Sequence, residues 1–163
     1  MSNPQSEVSN KLHVIIRAGI AAAERRDYAQ AYKTLRAVYG VGDGAEMPLE
    51  GLSYYGLCVA IVEKQTRKGV VLCRSAIEAQ FYDATHFVNL IRLYLERGNR
   101  KNAVDTLNEG LENLPNNAKL LRLRDEMGYR AKPMVPFLNR DNLLNVTLGK
   151  ARAKSGRHKS GRK

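Results

Sequence analysis

The residues able to do chemistry in this chain are few and far apart. Three histidines, His13, His86 and His158, stand at no metal-ligand spacing, so each reads as a surface residue and no metal site is expected. No Gly-rich phosphate loop of the G-x-x-x-x-G-K-[ST] type occurs. No Ser–His–acid set and no carboxylate pair assembles on one face, which implies neither an enzyme nor a cofactor. Cys58 and Cys73 lie inside apolar helical patterns and are expected as buried, reduced thiols. What remains is charge. The net +11 is uneven: Lys150, Arg152, Lys154, Arg157, Lys159, Arg162 and Lys163 close the chain without one acid, while the remainder holds 20 basic and 16 acidic residues. This tail, with "KSGR" twice, is expected to be disordered. Its electrostatic use would be salt-dependent attachment to nucleic acid, the ribosome or an acidic surface; otherwise it serves solubility. No aromatic residue interleaves the cations, so base stacking is not supported.

The elements that would position any site are helical. With 163 residues the chain is long enough for one domain with a real core. No run approaches the roughly 18 apolar residues of a membrane span, and "MSNPQSEVSN" lacks the features of a signal peptide, so a cytoplasmic protein is expected. Residues 1–9 are polar and read as disordered. Apolar residues then recur at helical spacing through Leu12, Ile15, Ile16, Gly19, Ile20 and Ala23, break at "ERRDY", and resume with Ala31, Leu35 and Val38. "GVGDGAEMP" must be a loop. A second pair covers Leu52 to Val62 and Val70 to Ala79. A third lies within Asp83–Asn117, split by "RGNR" and closed by "LPNN". A seventh helix starts at Ala118 and stops near Arg130, before Pro133 and Pro136.

The third pair carries a recognisable pattern. Phe87, Leu90, Ile91, Tyr94, Ala103, Leu107 and Pro115 fall at the slots of W-x2-L-G-x2-Y…A-x3-F…P, and the stretch resembles a tetratricopeptide repeat, a helix–turn–helix unit of about 34 residues. Ile91 stands where that pattern has Gly. Two earlier stretches resemble it as well: Ala18, Gly19, Ala22, Ala31 and Leu35 in the first, and Leu57, Ala60, Gly69, Cys73 and Ala76 in the second, where Gly56 lies one residue early. The small residues Ala31, Gly69 and Ala103 are separated by 38 and 34 positions. The fold expected is all-α: a right-handed α-solenoid of three tetratricopeptide-like hairpins (about 12–45, 50–83 and 84–117, within a domain over 10–131) plus a capping helix over 118–131. An apolar, Pro-containing extension with a short helix follows over 132–149, and the basic tail over 150–163.

The resemblance implies a non-enzymatic scaffold or adaptor that holds a peptide segment of a partner protein in a concave groove lined by the first helices. Its groove-facing slots fall on His13, Arg17, Ile20 and Glu24, then on Tyr54, Tyr55, Cys58 and Ile61. In the third unit and the cap they fall on Thr85, Val88, Asn89 and Arg92, then Lys119, Arg122 and Glu126. Of these, Arg17, Asn89, Arg92, Lys119 and Arg122 are the expected contacts to carboxylates or backbone groups, and Tyr54 and Tyr55 the expected apolar anchors. The likeness to the carboxylate clamp that captures chaperone C-termini is loose, because Ile16 and Ile20 occupy its first-unit polar slots. Size and repeat number also resemble the small chaperones of type III secretion translocators, but the basic tail and "PMVPFLNRDN" do not belong to that pattern. Met134, Val135, Phe137 and Leu138 are expected to pack onto the last helices, or else to enter the groove of this or a neighbouring molecule, giving occlusion or a homodimer.

Overall fold

The computed structural model describes residues 4–39 and 49–128. The Gly-rich loop expected over 40–48, the extension over 132–149 and the basic tail with His158 lie outside them. Among the described residues all regular structure is helical: α1 (Pro4–Glu24), α2 (Tyr28–Tyr39), α3 (Leu49–Val62), α4 (Thr66–Ala79), α5 (Ala84–Glu96), α6 (Arg100–Asn113) and α7 (Ala118–Glu126). Two boundaries differ from expectation. The first helix starts at Pro4, inside the stretch expected to be disordered; proline suits a first helical turn, where its missing N–H has no intrahelical partner to lose. The last helix ends at Glu126, because the next turn is broken by Gly128 at φ 60°.

Helices adjacent in sequence pack most closely in the pairs α1/α2, α3/α4 and α5/α6, with α1 and α5 each against α3, and α7 on α5 and α6. The α3/α4 contact is the tightest. A Cβ added at Gly56 would stand 2.8 Å from the Gly69 carbonyl oxygen, and one at Gly69 would stand 2.7 Å from the Ala60 Cβ. Gly56 is thus the residue that lets the two backbones meet, although it sits one position away from its expected slot.

Short turns join each pair, and they share one backbone device. Arg26, Lys64 and Gly98 all adopt left-handed φ values, of 63°, 59° and 70°. Each stands five residues before one of the small buried residues Ala31, Gly69 and Ala103, so the spacings of 38 and 34 recur in the backbone itself. At Gly98 the chain closes α5 with Asn99 N–H donating to Tyr94 O (2.8 Å) and Gly98 N–H donating to Leu95 O (3.0 Å). Two of the following helices begin with side-chain caps, and α4 does not: Asp27 accepts from Gln30 N–H (3.1 Å) and Asn99 from Asn102 N–H (3.1 Å).

The core follows from the same periodicity. Ile16, Leu35, Leu57, Phe87, Leu90, Ile91, Leu107 and Leu120 are fully buried. Tyr55 lies among them, stacked on Tyr39 (5.2 Å between centroids) and Tyr32 (6.2 Å). No helix among the described residues is long and apolar enough to cross a membrane.

Candidate functional site

Helical spacing brings four elements to one cavity of about 440 Å³. Its wall is Glu24 at the end of α1 and Tyr54 on α3. Thr85, Val88, Asn89 and Arg92 come from α5, and Ala118, Lys119, Arg122, Leu123 and Glu126 from α7. The α5 set runs i, i+3, i+4, i+7, and Lys119, Arg122, Leu123 and Glu126 repeat that interval, so each helix offers one continuous stripe. Asn117 starts α7 in the right register by accepting the backbone N–H groups of Lys119 (3.0 Å) and Leu120 (3.4 Å).

Several wall groups are already committed. The Tyr54 hydroxyl donates to Glu24 Oε1 (3.1 Å), and burial, then the Glu24 charge, push its phenol well above the ordinary tyrosine range. Lys119 Nζ donates to Thr85 Oγ1 (3.2 Å). Arg92 and Arg122 have no hydrogen-bond or ion-pair partner among the described residues. Two guanidiniums with five donors each therefore line a cavity wall unspent.

Behind the wall runs a buried polar chain that the sequence did not announce. Asn89 Nδ2 donates to Ser53 Oγ (3.0 Å), Ser53 Oγ lies 2.9 Å from His86 Nδ1, and His86 Nε2 lies 3.1 Å from Gln80 Oε1. Gln80 Oε1 only accepts, which assigns the imidazole proton to Nε2 and makes Nδ1 the acceptor for the Ser53 hydroxyl. Donation thus runs from Asn89 through Ser53 and His86 to Gln80. Ser53, His86 and Asn89 are 0%, 1% and 0% exposed. Burial holds the His86 imidazole below its ordinary pKa, partly offset by Asp83, whose Oδ2 is 3.9 Å away. Burial alone would raise Asp83, but hydrogen bonds from the Thr85 backbone and hydroxyl, with His86 and Lys119 nearby, bring it below the usual carboxylate value. Asn89 Oδ1 is left buried without a partner.

These placements correct two expectations, for His86 and Tyr55. His86 is a core residue rather than a surface one, because α5 turns it towards α3. Ser53 and His86 are in contact, with Asp83 Oδ2 3.9 Å from the Nε2 that donates to Gln80, and Ser53 has no exposed surface. Tyr55 is no groove anchor: it is the core ring between Tyr39 and Tyr32. Successive helical residues point about 100° apart, and Tyr54 alone reaches the cavity. Of the remaining expected contacts, Asn89, Arg92, Lys119 and Arg122 share the cavity with Tyr54, while Arg17 is exposed on α1 away from it. Cys58 and Cys73 are free and buried. Among the described residues no cluster of His, Cys, Asp or Glu fits a metal ion.

A shallower cavity of about 360 Å³ adjoins the first through Ala118 and Lys119 and is completed by Tyr82, Asp83, Ala84 and Asn117. In comparison with known proteins, no family model, no curated protein and no solved structure matches this chain.

Proposed function

We propose that this chain is a non-enzymatic binding scaffold: three tetratricopeptide-like hairpins and a capping helix, stacked as a right-handed α-solenoid, that hold a peptide segment of a partner protein in one groove. The observation that carries this reading is the shared cavity. The first helix of each pair and α7 all contribute to its wall, and two arginines there remain unpaired. The recurrence of a left-handed turn residue five positions before a small buried residue supports the repeat. The buried Ser53–His86–Asn89 chain fits the same role, since it ties α3 to α5 and fixes the wall from behind. Selection from a random peptide library by the full chain tests the reading. Enrichment of defined sequences that is lost in Arg92→Ala and Arg122→Ala supports it, and failure to enrich any sequence contradicts it.

The seven cations after residue 149 favour a second reading, attachment to nucleic acid through the tail. Salt-sensitive retention on RNA that disappears when residues 150–163 are removed would select it.

A further inference from the structure

The three turns that close the first helix of each pair are alike in charge as well as in backbone. Between α1 and α2 stand Arg25 and Arg26. Between α3 and α4 stands Lys64, with Arg67 and Lys68 in the first turn of α4. Between α5 and α6 stands Arg97, with Arg100 and Lys101 opening α6. All eight residues are exposed, and no ion pair among the described residues engages any of them. Four acids flank the same turns, Glu24, Asp27, Glu63 and Glu96. Three of them are occupied: Glu24 accepts from Tyr54, Asp27 from the Gln30 amide and Glu63 from the Tyr32 hydroxyl.

Contacts between the turns put them on one edge of the molecule. The bond from Tyr32, near the start of α2, to Glu63 joins the first turn to the second. Burial, and next the charge of Glu96 at the end of α5, raise the phenol of Tyr28 at the start of α2, which joins the first turn to the third. Arg100 donates to the Met127 carbonyl just past α7, so the row runs on to the end of that helix. The opposite helix ends carry the opposite sign. Residues 78–83, leading from α4 into α5, hold Glu78 and Asp83, and residues 109–117, leading from α6 into α7, hold Glu109 and Glu112; neither stretch has a Lys or Arg. The molecule is therefore polarised, with its unspent cations gathered along one edge.

Adjacent helices pack about 8–10 Å apart, so three turns in a row span roughly 20 Å. A duplex presents one phosphate per about 1.7 Å of its axis, about a dozen over that length. Of the exposed large apolar side chains among the described residues, only Val62 lies beside this edge; the exposed rings Phe81 and Tyr82 stand in the acidic stretch 78–83. A surface without an exposed aromatic ring gives unstacked bases no platform and a membrane no wedge, and it suits a backbone whose charges are already displayed. We propose that the edge formed by these three turns binds the phosphate backbone of a nucleic-acid duplex without reading its sequence. This surface belongs to the folded helices and is separate from the cationic tail, and none of its eight cations lines the cavity.

The test measures binding of fluorescent RNA and DNA duplexes of about 20 base pairs to the full-length chain, its seven tail cations replaced by Gln so that the tail adds nothing. Lys68→Gln with Lys101→Gln removes two charges from the edge. Lys11→Gln with Arg17→Gln removes two from the exposed surface of α1 as a control of equal charge. Helical circular dichroism checks that each variant is folded, and Arg67→Gln with Arg97→Gln replaces the edge pair if it is not. Expected is binding at about 0.1 M salt that the edge pair weakens roughly fivefold and the control pair less than about twofold. The slope of log K against log salt becomes shallower by about 2 in the edge pair alone. Either duplex behaving so supports the proposal, and the tighter of the two names the natural ligand. No binding by the tail-neutral chain, equal losses in the two pairs, or retention on phosphatidylserine vesicles in place of duplex overturns it. The groove reading stands in each case, because no substituted residue lines the cavity and peptide selection tests it separately.

Discussion

Substituting Gly69 by alanine tests the close approach of α3 and α4 that sets where Ser53 and Tyr54 lie. The new Cβ would stand 2.7 Å from the Ala60 Cβ and nearer still to the Gly56 carbonyl oxygen. Carbon atoms pack at about 3.5–4.0 Å, so the helices must separate by about 1 Å. Overpacking of this kind costs about 1–3 kcal/mol, from which about 1 kcal/mol is recovered because alanine is the better helix former. The net expectation is a loss of about 0–2 kcal/mol, with the nearby Gly56 backbone oxygen favouring the upper end, read as a fall in melting temperature of up to roughly 10 °C. Urea and thermal unfolding followed by helical circular dichroism measure it. Adding Ala60→Gly removes the 2.7 Å contact but leaves the closer one to the Gly56 carbonyl oxygen, so the double variant should recover only a small part of the loss. A Gly69→Ala variant more stable than the wild type would refute the packing argument.

Other consequences follow from the same structure. Lys64→Gly should stabilise the chain by about 0.5–1 kcal/mol in urea unfolding, because a lysine at φ 59° is strained and glycine is not. Ser53→Ala should cost about 1–3 kcal/mol, since it strands His86 Nδ1 and Asn89 Nδ2 in the core, and the same unfolding curve reads it. The depressed His86 pKa means that the unfolded chain takes up a proton first as pH falls. Its contribution is therefore complete above the ordinary histidine value of about 6.5 and declines as pH drops through the lower folded value. Stability measured across that window should fall in the wild type and flatten in His86→Gln. Burial pushes the Cys58 thiol up to about 12 and raises Cys73 as well, so iodoacetamide at neutral pH should label neither in the folded chain and both in urea.

The parts of this architecture that were legible in the sequence are those governed by helical periodicity. Apolar spacing located each of the seven helices among the described residues, and the intervals among Ala31, Gly69 and Ala103 recur in the left-handed turn residues that precede them. Tyr54, Asn89, Arg92, Lys119 and Arg122 were singled out through the family resemblance, and these five line one cavity. Features set by tertiary partners were not legible. His86 looks like any isolated histidine until Ser53, far away in sequence, is brought against its ring. The left-handed turns at Arg26 and Lys64 are hidden because neither residue is glycine, and Gly98 alone betrays the device. Tyr55 was misplaced because two adjacent tyrosines on a helix look alike in sequence, while only one of them faces the cavity.

Mapping amide chemical shifts of the full chain against a library-selected peptide puts the central claim most directly at risk. The account predicts large changes at Tyr54, Thr85, Val88, Arg92 and Arg122, with α2 and the outer faces of α4 and α6 quiet. Saturable changes confined to those outer faces, or to the cationic tail, would contradict it.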